Sequence, residues 1–335
     1  MLISRRAMTN AAEPEPQHSR LGIVIFLCFL GALFLIRLWF GIASVPVSFA
    51  PALNVASAVG FIAIPVLALF NGTSAPWKFP AALITLAFGV LLQVGSGVAI
   101  NQLHLTGVPQ VAVQALGQTG LLTWCLGLGV MVSLMIKERN LVLPVAIFLA
   151  GFDAFLVLTP YAPTAAIVEQ RPEVFQSVAS SVPRARETRP SEAPKEAKLE
   201  ALAFVGPADF LFAAVFFALL FKFGLRAKET AMWLVPALVL YLLIVLMPWG
   251  LGMLPALVPI GGTVLLVNRK EFTLTKDEKQ ATWGVVMVAV GLAGYGYYQR
   301  INYKPKLRPP VAPLQRQASA MPKGPEAMPA PTPSN

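Results

Sequence analysis

Two histidines and two cysteines are all that a chain of 335 residues offers of the commonest metal ligands. His18 lies in the N-terminal tail and His104 in a loop, and no H-E-x-x-H occurs. A metal-dependent hydrolase with its ligands in the apolar runs is thereby excluded, and neither a metal nor another cofactor is expected. The same scarcity leaves a serine nucleophile without its base. Ser96, in VGSGV, has glycine neighbours but no histidine in any apolar run to activate it. Cys28 and Cys125 both fall within apolar runs, so no disulfide framework is encoded and each is expected to be a buried small side chain. The lack of disulfides is compatible with a prokaryotic cell membrane. Charge is scarce as well. Asp, Glu, Lys and Arg make up 13% of the chain, well below the ~25% of a soluble domain.

What fills the chain instead is hydrophobic: 56% of residues, gathered into runs of about 17–25 residues, the length that crosses a bilayer as a helix. The expected fold is therefore an all-α polytopic membrane protein of about nine transmembrane helices. The spans read as 21–44, 50–70, 79–100, 119–136, 141–160, 203–222, 231–249, 251–268 and 282–298. The first run continues past Arg37 without a small-x-small processing site, so it reads as a span and not as a cleaved signal. Arg37, near the end of that span, is expected to snorkel to the interface.

The organisation follows from these runs. An N-terminal tail (1–20) precedes the first transmembrane helices (21–136), and 137–160 forms the next. A polar segment at 161–202, rich in Pro, Ser, Glu and Arg, is expected to be disordered. Further helices occupy 203–268, a last loop and helix 269–298, and a Pro-rich tail 299–335, also expected to be disordered. The net charge of +10 does not point to nucleic acid, because the basic residues sit beside the spans. Lys78, then Lys137 and Arg139, then Lys222, Arg226 and Lys228, then Arg269, Lys270, Lys276 and Lys279 occupy alternate loops. Loops 45–49 and 101–118 carry no Lys or Arg. This alternation puts the N-terminus in the cytoplasm and the 161–202 segment outside. Nine spans then place the basic C-terminal tail outside, against the same rule. Asn71-Gly72-Thr73 spells a glycosylation sequon in a short loop on the cytoplasmic side, where it would stay unused.

Of sixteen acidic residues, only Asp153 and Asp209 lie inside long apolar runs. A carboxylate at bilayer depth is costly and marks function by default. Asp153 is seven residues before Pro160 and Asp209 six after Ala203. In an antiparallel hairpin of the two spans both would lie about 10 Å from the same membrane face. Two carboxyls at a common depth and a few ångströms apart cannot both ionise cheaply, so they titrate as one unit. The ionised member can take a proton from water while the protonated member polarises a carbonyl, the division of labour of aspartic proteases. Gly206 and Ala208 are small enough for close helix approach near Asp209. A third element, LPALVPI with Pro255, Ala256 and Leu257, follows the break Trp249-Gly250-Leu251-Gly252. Pro255 and Pro259 free nearby carbonyls from helical bonding. Irregular backbone at this depth lines a cavity or is buried in protein, and it could pair with an unwound substrate chain. Pro236-Ala237-Leu238 repeats the tripeptide within an otherwise regular run and reads as chance.

These elements, in this order, resemble the presenilin and signal peptide peptidase family of intramembrane aspartyl proteases. FDAFLVLTPYAP is similar to the stretch around the family's first aspartate, GPADFLFAAVF to its Gly-x-Gly-Asp segment, and LPALVPI to its Pro-Ala-Leu segment. The likeness covers roughly residues 119–268. It implies that Asp153 and Asp209 are the catalytic pair. It also implies that Phe152, Gly206, Ala208, Pro255, Ala256 and Leu257 shape the active site or bind substrate. Substrates would be transmembrane proteins or peptides in the bilayer; whether accessory subunits or self-association are needed stays open. The chain departs from the pattern in four ways. Phe152 stands for the usual Tyr, Ala208 for the second Gly, four spans precede Asp153 instead of five, and a hydrophobic run follows the Pro-Ala-Leu span. Prepilin-type peptidases also pair two aspartates but do not predict LPALVPI after them. The alternatives are a proton- or ion-coupled transporter, in which paired carboxylates carry cations, and a catalytically silent relative acting as a membrane chaperone or scaffold.

Overall fold

The computed structural model describes residues 19, 21–159, 178–188, 197–246 and 255–303. Proline opens several helices, where its missing N–H costs nothing. It stands in the first turn of α2 (Ala50–Thr73), α3 (Phe79–Gln102) and α6 (Pro207–Lys222). The other helices are α1 (Leu21–Ile42), α4 (Gly107–Met135), α5 (Val142–Leu158), α7 (Ala227–Leu246), α8 (Leu257–Asn268) and α9 (Lys276–Ile301). A 3-10 turn, Arg139–Leu141, leads into α5. A capping box starts α9: Thr275 accepts from the Glu278 N–H while Glu278 accepts from the Thr275 N–H.

Six helical stretches are long and apolar enough to cross a membrane: Leu21–Ile42, Ala50–Thr73, Phe79–Gln102, Gly107–Met135, Arg139–Leu158 and Ala227–Ile244. They mark an integral membrane protein. The expected count of nine spans is met only in part. Helix α6 has 16 residues and α8 has 12, and α9 begins in Lys276-Asp277-Glu278-Lys279. Helix α6 is apolar all round, as a central helix must be. Phe210 and every residue from Ala213 to Phe221 are buried, with α2 and α4 packed against them. Helices α3 and α4 pack closely, because Gly89, Gly120 and Gly127 bring their main chains together; a Cβ at Gly89 would strike the Trp124 backbone.

Four short strands gather at one end of the bundle. Strand β1 (Ser44–Pro46) runs parallel to β3 (Arg186–Thr188), Val45 opposite Glu187. Strand β2 (Ser180–Pro183) runs antiparallel to β4 (Ala201–Val205), Ser181 opposite Phe204. The expected disorder of 161–202 is therefore corrected for 178–188 and for the start of β4, and the rest of that segment is mostly outside the described residues. The physical reason lies in the helices. Ser57 donates to the Pro183 carbonyl at 2.6 Å, Asn54 accepts from the Ala185 N–H at 2.7 Å, and Gln118 donates to the Ala179 carbonyl at 3.1 Å. A segment too polar to fold alone is held by polar groups projecting from apolar helices.

Arg37 is part of that clamp, which corrects the snorkelling expectation. Its side chain is buried at 1% exposure. It donates to Ser180 Oγ at 3.0 Å and to the Ser181 carbonyl at 3.2 Å, and it lies 4.7 Å from the Phe61 ring centre. Arg186 reaches back to the Gly41 carbonyl at 2.8 Å. Other boundaries also shift. Helix α4 starts at Gly107, twelve residues before the expected span, because Gln110, Gln114 and Gln118 interrupt the hydropathy but not the helix. Asn71 and Thr73 belong to the last turn of α2, not to a loop. Cys125 is buried as expected, whereas Cys28 is exposed on the flank of α1. The expected hairpin of the two aspartate-bearing helices is corrected too: α5 packs on α8 and α9, α6 packs on α2 and α4, and α5 and α6 share almost no surface. The break Trp249–Gly252 and the tail after Tyr303 lie outside the described residues.

Candidate active site

Asp153 sits in the last turns of α5, five residues before its end at Leu158. Asp209 sits in the first turn of α6, just after β4 and the N-cap Gly206. Leu257 opens α8. In an up-and-down bundle these three places fall at the same end, the end that carries the strands. Both aspartates are half-buried.

The contact that joins two of the sequence elements is a hydrogen bond. The Leu257 backbone N–H donates to Asp153 Oδ2 at 2.8 Å. An N–H in the first turn of a helix has no intrahelical acceptor, and here a carboxylate supplies one. The Pro-Ala-Leu segment therefore meets the first aspartate through its main chain. The Leu257 side chain is buried, and Ala256 is the N-cap of α8.

The second aspartate is held locally. The Asp209 N–H donates to the Gly206 carbonyl at 3.2 Å. A Cβ added at Gly206 would lie 3.3 Å from Asp209 Oδ2, tight enough to move the carboxyl. The glycine has φ −64°, so room, not backbone freedom, is what its missing side chain provides. Although α5 and α6 barely touch, the Asp153 and Asp209 carboxyls lie within electrostatic reach of one another.

Tyr241 was not singled out by the sequence. Its hydroxyl donates to the Pro255 carbonyl at 2.6 Å, and it lies within electrostatic reach of both aspartates. A lone tyrosine in an apolar run was the available signal, since a buried phenol needs a partner. The freed carbonyl expected near Pro255 is thus taken by α7. Cys125 also approaches the second aspartate, its thiol donating to the Pro207 carbonyl at 3.5 Å.

Two expected residues stand apart from this cluster. Phe152 is 39% exposed and meets its own helix, its ring stacked 5.8 Å from Phe148 and tilted 6.5 Å from Phe155. Ala208 is exposed beside Asp209. The second Pro-Ala-Leu tripeptide, at Pro236, lies inside regular helix in α7. The cluster thus holds two carboxyls, one main-chain donor and one phenol, a set able to hold and exchange protons. No family model matches the chain, and no curated protein or solved structure matches it significantly.

Proposed function

We propose that this protein is an intramembrane aspartyl endopeptidase of the presenilin and signal peptide peptidase type, multi-pass in a prokaryotic cell membrane. The observation that carries the reading is the 2.8 Å bond from Leu257 N–H to Asp153, with Asp209 in electrostatic reach of the same carboxyl. The bond joins the Pro-Ala-Leu segment to the first aspartate, which is the pairing the reading requires. In the reaction one carboxylate takes a proton from a water molecule, and the water oxygen attacks the scissile carbonyl. The protonated partner donates to the carbonyl oxygen. Collapse of the tetrahedral intermediate breaks the C–N bond as a proton passes to the leaving amine. Asp153 and Asp209 are the catalytic residues. Leu257 fixes the first of them through its main chain, Gly206 leaves room for the second, and Tyr241 secures Pro255 beside them.

The partial exposure of Asp153 supports this reading, because substrate and water must reach the pair. Substrates would be transmembrane segments of other proteins that unwind locally. The test is cleavage of a fluorescent transmembrane-helix reporter by the purified protein in lipid. Asp153→Asn and Asp209→Asn should each lower the rate by about 10²- to 10⁴-fold, the share of a general acid or base, with unchanged size-exclusion profiles. Activity against pH should be bell-shaped, since one carboxyl must be ionised and one protonated. Absence of cleavage across several reporters, together with proton or cation flux that the same mutations abolish, would replace the peptidase reading with a coupled carrier. Absence of both would leave the silent scaffold.

A further inference from the structure

At the opposite end of the bundle from the aspartates, α7 and α8 flank a groove of about 490 Å³. Its rim is cationic. Arg226 stands before α7, and Arg269 and Lys270 follow α8. Glu229 is the one acidic residue in the lining, and Arg226 already answers it at 3.0 Å. Arg226 also faces Glu271 at 3.7 Å. Among the described residues no ion pair takes Arg269 or Lys270, and both are exposed. The groove changes character with depth. Leu266 and Val267, in the last turn of α8, line the upper wall beneath the cations. Trp233 stands two turns into α7 and is 62% exposed, and at and below its level the walls are Ala237 and Thr263. The Thr263 hydroxyl is turned back to the Pro259 carbonyl at 2.7 Å and so leaves its methyl to the groove.

The charged rim alone would be the ordinary signature of membrane orientation. The combination goes further. Two uncompensated cations sit at headgroup depth, an indole sits where aromatic rings favour the interface, and an apolar trough continues inward between two helices. A phosphate ester with a hydrocarbon tail matches this order of surfaces. Basic pockets between transmembrane helices bind anionic headgroups in this way. We propose that the groove is a binding site for an anionic glycerophospholipid. Arg269 and Lys270 meet its phosphate, Trp233 flanks the glycerol and the first carbons, and an acyl chain runs from Leu266 and Val267 inward past Thr263 and Ala237. This site is independent of the peptidase reading.

Native mass spectrometry of the full chain in detergent, titrated with phosphatidylglycerol, tests it. Phosphatidylcholine of the same chain length and free glycerol 3-phosphate serve as the two comparison ligands. Phosphatidylglycerol should bind more tightly than either. R269Q/K270Q should weaken it by roughly 10- to 30-fold, the effect of about two interfacial charges. Ala237→Phe, which fills the apolar trough and keeps every charge, should weaken it by several-fold. K276Q/K279Q, which removes equal charge from the next stretch of chain outside the groove, should leave it within about twofold. Equal binding of phosphatidylcholine would overturn the assignment, as would unchanged affinity in R269Q/K270Q. Glycerol 3-phosphate binding as tightly as the lipid would make this a phosphate site instead. An equal loss in K276Q/K279Q would reduce the effect to net charge.

Discussion

At the strand end of the bundle a guanidinium with 1% exposure holds a strand in place; at the other end the ion pair of Arg139 with Glu271, at 2.9 Å, leaves its side chains 29% and 37% exposed. The first end spends buried polar groups on a segment that follows α5 and precedes α6. The second is closed in part by contacts that solvent can replace and in part by a buried pair, Asn268 donating to Thr230 at 3.0 Å between α8 and α7. Lys222 donates to the carbonyls of Ser133, Leu134 and Ile136, satisfying the end of α4 as a basic residue commonly does. Asn140 donates to Glu278, and the Glu278 carboxyl is held below the usual carboxylate range mainly by that bond and the Thr275 N–H. The aspartates lie at the costly end. Buried hydrogen bonds order this end because the strand they anchor, β2, pairs with β4, which leads within four residues into Asp209. The lesson is that polar side chains within these helices need not mark chemistry; Arg37, Asn54, Ser57 and Gln118 hold the segment that leads to the chemistry.

Perturbing each end separately sharpens this contrast. The largest effect is expected from Arg37→Met. It removes three donations, to Gln118, Ser180 and Ser181, and should cost about 2–3 kcal/mol, since bonds from a charged group are worth more than neutral ones. Thermal unfolding in detergent reads the loss. Limited proteolysis at 178–188 should rise in parallel, and reporter cleavage should fall with it. If the strand segment stays protected in a folded Arg37→Met protein, the clamp is not what orders it.

Gly206→Ala should act on chemistry more than on stability. The new Cβ pushes the Asp209 carboxyl by a few tenths of an ångström, and cleavage should drop by about tenfold while the melting temperature holds. Tyr241→Phe removes the bond to Pro255 and should lower the rate several-fold for about 1 kcal/mol of stability. Ser57→Ala leaves the Pro183 carbonyl without its donor and should cost about 1–2 kcal/mol. Glu271→Ala, at the far end, should change stability by less than about 1 kcal/mol and cleavage not at all. A large activity loss from Glu271→Ala would erase the distinction between the two ends.

Much of this could be read from residues in order. Asp153, Asp209 and the Pro-Ala-Leu segment were legible because a carboxylate or a proline pair inside an apolar run is rare and expensive. Their joining through the Leu257 N–H was not legible, because a main-chain donor carries no signature in sequence. Tyr241 was overlooked for a related reason: a single phenol in an apolar run is common, and only its acceptor makes it notable. Gln118 was read as loop because its amide lowers hydropathy, yet its amide faces inward to Arg37 and Ala179.

Hydropathy alone determined that this chain forms long apolar helices and placed two carboxylates near one end of them, because transfer of a segment into lipid depends on composition. Which helices touch was decided only by tertiary structure. Lipid and a helical neighbour are equally apolar, so packing faces are not written in hydropathy. For that reason the separation of α5 from α6, the central burial of α6 and the inward turn of Arg37 emerged only when shape and hydrogen bonding settled what composition left equal.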